Sequence, residues 1–212
     1  MKKTELKREL LGNLRVLLKP YEFTLVSRMD WFVRKDKRSL IYRLDFYGGN
    51  DRDIGYAISP SLAIRIDEVE EIYHKVSRFE PKYQKDTPTI WPTIRGLQGS
   101  KVGYEYELDS VEDITPVVGK LFSIFEDIAL PFLEENSSIA AIDNLLNSNP
   151  ENEDSIFDTP VPRFYRGVIV AKLAKRENYG QIVEAYRKHL SRIDGPYLIN
   201  NEKLIEILNS DY

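Results

Sequence analysis

Two histidines, 34 carboxylate side chains and no cysteine are the raw material for chemistry in these 212 residues. His74 follows Glu71 at the Glu-x-x-His spacing of di-iron helical bundles. Such a centre needs a second pair and further carboxylates on facing helices, and the sequence offers none. His189 has no carboxylate at ligand spacing, so both histidines read as surface or capping residues rather than metal ligands. The lack of cysteine removes disulfides, thiolate catalysis and cysteine metal sites. Asn50-Asp51-Arg52-Asp53 has the acidity of a calcium loop without its terminal bidentate glutamate, which leaves a hairpin turn as the expectation. Gly96-Leu97-Gln98-Gly99-Ser100-Lys101 carries the glycines of a phosphate loop or a KH loop. It lacks the spacer of the first and the flanking helices of the second. No serine stands in a nucleophile elbow. The sequence therefore holds no catalytic set, no metal and no cofactor.

Two groups of side chains remain as binding candidates. Tyr83, Lys85, Trp91 and Arg95 lie in a segment without sustained periodicity, 80–103, and combine the aromatic and basic types that dominate interaction hot spots. The competing reading is that Trp91 and Ile94 plug the core from an Ω-like loop. The second group, Arg43, Asp45, Tyr56, Arg65 and His74, would line a ligand pocket if the polar face of a sheet were enclosed.

The elements that must position these residues begin with an amphipathic helix over 3–19, where Leu6, Leu10, Leu14, Leu17 and Leu18 recur at three and four. Thr4 is its candidate N-cap and Pro20 its stop. Four alternating segments come next between Phe23 and Ile66: a first from Phe23 to Val33, a second from Leu40 to Tyr47, a third from Ile54 to Ser59, and a fourth from Leu62 to Ile66. Their short connections suit antiparallel neighbours. A helix over 68–78 succeeds them, capped by Asp67, with Val69, Ile72, Tyr73, Val76 and Phe79 as its buried stripe. Tyr104 to Asp109 reads as a fifth strand. The pattern is helical beyond it: 115–135 with a kink at Pro131, then 139–147, a surface linker over 149–162, a hairpin of 164–175 and 179–193, and a last short helix over 202–208. The fold class is α+β, an antiparallel meander of about five strands covered by helices and continued by an all-helical C-terminal half. The domain boundary falls at 109/110, with the two parts free to pack as one domain.

Charge is unevenly spread: residues 1–109 carry 20 Lys and Arg against 17 Asp and Glu, while 110–212 carry 10 against 17. No basic stripe stands out, and the charged turn 34–38 reads as a solvated hairpin tip, so no nucleic-acid partner is expected. No signal peptide form and no membrane span are present in the sequence.

Leu17-Leu18-Lys19-Pro20-Tyr21-Glu22-Phe23, the strand phrase Trp31-Phe32-Val33-Arg34-Lys35 and the alternation through Gly55-Tyr56 resemble the bacterial domain of unknown function 4304 family. Tyr21-Glu22 stands where a leucine and a glycine are usual. The resemblance covers residues 5–75, implies a small cytoplasmic bacterial protein, and brings no catalytic residues with it. The functional expectation is a non-enzymatic protein-binding chain of adaptor or immunity type. Its rival is a small-ligand binder or a hydrolase-like enzyme on the sheet face.

Overall fold

The computed structural model describes residues 2–36, 38–48, 55–98, 105–152 and 160–212. The architecture is α+β, with a five-stranded antiparallel sheet in the order β1-β2-β3-β4-β5 and helices dominating the C-terminal part. No helix among the described residues is long and apolar enough to cross a membrane.

Helix α1 (Lys3–Leu18) buries Leu6, Leu10, Leu11, Leu14 and Leu18. Its N-cap is Lys2, two residues before the expected Thr4, and the Glu5 carboxylate accepts from the Lys2 amide at 2.9 Å. The run read as one strand from Phe23 to Val33 is a hairpin of β1 (Thr24–Val26) and β2 (Trp31–Lys35). The Met29 amide donates to the Val26 carbonyl at 3.0 Å. Asp30 takes a left-handed φ of 56° while pairing with Lys7. The apolar alternation carries on through the turn, but the faces swap: Leu25 stands opposite Phe32, while Val26 and Trp31 pair on the other side. Strands β3 (Ser39–Tyr47) and β4 (Tyr56–Arg65) complete the centre. The break expected at Ser59-Pro60-Ser61 does not occur. Among the described residues β5 (Tyr106–Leu108) pairs with Tyr56–Ile58, so Pro60 lies past this paired part of β4. The Gly49-Asn50 turn, the acidic Asn50–Asp53 run and Gly99–Lys101 lie outside the described residues.

Packing divides the chain into two compact units, residues 1–64 with 91–134, and 65–90 with 135–212. This partition differs from a cut at 109/110, because residues 65–90 leave the sheet and pack with the later helices.

In the first unit, α1 and α5 (Ile114–Ile124) cover one sheet face. The Tyr42 hydroxyl donates to the Leu121 carbonyl at 2.9 Å. A π-helical turn, Phe125–Ala129, joins α5 to α6 (Leu130–Glu135), with the Leu130 amide donating to the Phe125 carbonyl. That wide turn directly precedes Pro131, which has no N–H to continue the α ladder. It also sets the buried Phe125 ring against Tyr21, Phe23 and Tyr42. On the opposite sheet face Val33, Ile41 and Ala63 form a smaller cluster against which Val26, Trp31 and Trp91 pack. α4 (Ile94–Gln98) lies just past Trp91.

The second unit contains α2 (Asp67–His74), α3 (Pro81–Gln84), α7 (Ile139–Asn147), α8 (Val161–Leu173), α9 (Tyr179–Leu190) and α10 (Tyr197–Asp211). α10 is twice the length read from sequence. α8 is its central helix, buried from Arg163 to Ala171 and touched by α2, α7, α9 and α10. Gly167 permits this: a Cβ there would lie 2.6 Å from the Tyr186 ring and 2.8 Å from the Asn147 side chain. The buried Arg163 guanidinium donates to the carbonyls of Leu146, Asn149 and Asn152, caring for the end of α7.

Candidate functional site

The end of α2, the start of α8 and the start of α10 enclose an open cleft of about 320 Å³ in the second unit. Tyr73, Val76, Ser77, Arg78 and Phe79 supply one wall, Val161, Pro162 and Tyr165 a second, and Pro196, Tyr197 and Asn200 a third. Each piece has a local cause. α2 ends at His74, and the chain from Val76 to Phe79 leaves it still carrying the apolar side chains of its stripe. Pro162 and Pro196 open α8 and α10, where a missing N–H costs nothing. Tyr73 meets Tyr165 edge to face at 5.8 Å, and the Tyr165 hydroxyl donates to the Tyr197 carbonyl at 2.7 Å. Burial raises the Tyr165 phenol to about 12, so it stays a neutral donor at all ordinary pH. Phe79 and Tyr197 remain 47% and 37% exposed at the rim. Arg78 is exposed at the rim, and its side chain makes no ion pair or hydrogen bond among the described residues.

Behind this wall lies a buried polar network. Glu70, fully buried, receives both arms of Arg166 at 2.8 Å, and Arg166 stacks on the Tyr73 ring at 4.1 Å. The Thr87 hydroxyl donates to Glu70 at 2.8 Å. His74 Nε2 lies 2.7 Å from Thr87 Oγ1 and 3.1 Å from the Gln84 carbonyl, while its Nδ1 lies 2.7 Å from Ser77 Oγ. Arg65 donates to the carbonyls of Gln84 and Thr87 and to Asp67. A backbone carbonyl can only accept, so Nε2 carries the proton. Neutral His74 then presents the Nδ1 lone pair to the Ser77 hydroxyl. Burial lowers the His74 pKa against an opposing pull from Glu70, which favours that neutral form.

The residues singled out in the sequence do not share one place. Arg43 and Asp45 sit in the first unit, 3.1 Å apart, with Ser61 donating to Asp45 and Arg43 over the Trp31 ring directly opposite it in register. Tyr56 points to the other face of the sheet, against Phe46 and under Lys3. Arg65 and His74 belong to the second unit and meet through Gln84 and Thr87. Tyr83 and Lys85 are exposed in the second unit, while Trp91, half-buried, and Arg95, exposed, lie in the first. His189 is buried, stacked on Phe164 at 5.2 Å and bonded to the Pro150 carbonyl, rather than at the surface. The partner of His74 is Glu70, 3.9 Å away, whereas Glu71 is exposed. No group of three or more metal-ligating side chains occurs among the described residues. Tyr73, Ser77, Arg78, Tyr165 and Tyr197 carry no site signal in the sequence pattern. The available signal was the aromatic content beside Pro162 and Pro196, two helix-opening prolines.

No protein-family model, no curated protein and no solved structure matches this chain.

Proposed function

We propose that this chain binds a small ligand in the second-unit cleft, and that the ligand is an aromatic or branched apolar group carrying a carboxylate or comparable anion. The observation that carries the reading is an exposed arginine, Arg78, which makes no ion pair or hydrogen bond among the described residues and stands beside walls of tyrosine, phenylalanine and proline around about 320 Å³. That volume suits a small molecule, and the mix of apolar walls with few polar groups is the ordinary make-up of such a site. Protein-observed NMR titration with phenylacetate and with its neutral amide tests it. The acid should perturb the Val76–Phe79 amides and bind more tightly than the amide. Arg78→Ala should remove about tenfold of that preference, equivalent to ~1.4 kcal/mol. Perturbations scattered away from the cleft, or no preference for the acid, would count against the reading. The exposed Phe79 and Tyr83 also favour a second reading, an adaptor or immunity-type protein partner whose aromatic side chain enters the same cleft.

A further inference from the structure

We infer that Ser77 is a nucleophile activated by His74, and that the cleft turns over carboxylic esters whose acyl group is aromatic or branched apolar. The inference rests on the reading of the cleft as a ligand site and adds covalent chemistry to it. Ser77 lines the cleft and its hydroxyl is 2.7 Å from His74 Nδ1. In the neutral ring the proton sits on Nε2, which faces the Gln84 carbonyl at 3.1 Å and the Thr87 hydroxyl at 2.7 Å, so Nδ1 offers that serine its lone pair. Thr87 in turn donates to Glu70, so the imidazolium formed on proton uptake has an acceptor chain ending in a carboxylate. The charged groups around the ring are Glu70 at 3.9 Å, Arg166 paired to that carboxylate, and Arg65 across Thr87. Glu70 and Thr87 are positioning residues, since neither lines the cleft.

The chemistry balances without a further reagent. The Ser77 proton moves to Nδ1 as Oγ bonds to the ester carbonyl carbon, and the alcohol leaves with that proton when the carbon–oxygen bond to it breaks. Water then attacks the acyl-serine, gives its proton to Nδ1, and the carboxylic acid is released as that proton returns to Oγ. The amides of Arg78 and Phe79, residues that line the cleft directly after Ser77, donate no hydrogen bond among the described residues. They and the Arg78 guanidinium are the donors on hand for the developing oxyanion.

Two measurements test this. A fluorophosphonate, read by intact mass and peptide mapping, should modify wild-type protein once, at Ser77, with fluoride lost as the phosphorus–oxygen bond forms. The adduct should be absent in Ser77→Ala and unchanged in Ser191→Ala. The chain has no cysteine, so Ser77→Cys places a single thiol beside His74, and iodoacetamide reads its thiolate directly. Its alkylation profile should sit at least one pH unit below that of an ordinary thiol, giving about tenfold faster reaction at pH 6.5. Thr87→Val in the Ser77→Cys background should move that profile upward, which a packing role alone would not do. No adduct on Ser77, or an alkylation profile like that of a free thiol in a variant that still melts cooperatively, overturns the inference. Neither readout uses a cleft ligand, so the phenylacetate titration fails or succeeds separately.

Discussion

Glu70 is a carboxylate with no exposed surface, held by the two arms of Arg166 and the hydroxyl of Thr87. From the sequence it reads as one more acid in the first turn of a helix, placed there by the dipole. Its special position depends on Arg166, 96 residues away, and no local pattern announces a pair at that separation. Taking away either partner strands the other charge without water. Glu70→Leu or Arg166→Met alone should therefore lower the unfolding free energy by about 3–5 kcal/mol. The double variant should lose less than the worse single one, because two apolar side chains in contact leave no orphan charge. Denaturant unfolding of the three proteins measures this, and additive losses would show that the two residues act separately. His74 was legible to the same limited degree. The Glu-x-x-His spacing points to Glu71, whereas the ring meets the Thr87 hydroxyl and the Gln84 carbonyl, with Glu70 a charge neighbour at 3.9 Å.

At the scale of elements, periodicity located the apolar faces better than it located their ends. The alternation from Phe23 to Val33 continues through a four-residue turn, so a hairpin looks like one long strand. Pro60 shows the converse: a residue that normally punctuates strands lies within β4, past its paired stretch with β5. Residue type groups Tyr56 with Arg43 and Asp45, whereas alternation along β4 puts it with Ile58, Leu62 and Ile64 on the helix-covered face. The segment around Trp91 could not be settled by pattern, since the same aromatic serves a surface or a plug. The structure seats Trp91, half-buried, on Val33, Ile41 and Ala63. Its loss should cost about 2 kcal/mol, below the ~3–5 kcal/mol of a fully buried large aromatic. A free energy of unfolding unchanged in Trp91→Ala would mean that the ring adds nothing to the sheet's second face.

At the scale of the whole chain, the helical character after residue 110 suggested a sheet domain and then a helical one. The sheet, however, depends on the helices C-terminal to it. Leu121 accepts the hydrogen bond of the buried Tyr42, and Phe125 fills the space between Phe23 and Tyr42. α1 packs on α5 as well as on the sheet. The chain leaves the first unit after Ile64, returns at Trp91 and stays until Glu134. A fragment of residues 1–109 therefore lacks half the cover of its apolar sheet face and also carries residues 65–90, whose packing partners begin at 135. Val69 and Ile72 of α2 are buried in the intact chain, and Glu70 would lose Arg166. Exposed apolar area of this kind weakens a domain at ~25 cal/mol per Å². The fragment should accordingly show no cooperative thermal transition and should bind a dye for exposed apolar surface, while the full chain melts cooperatively. A sharp melt of 1–109, with dispersed amide resonances, would mean that α1 and the five strands suffice, and that α5 is an addition to a finished fold rather than part of its core.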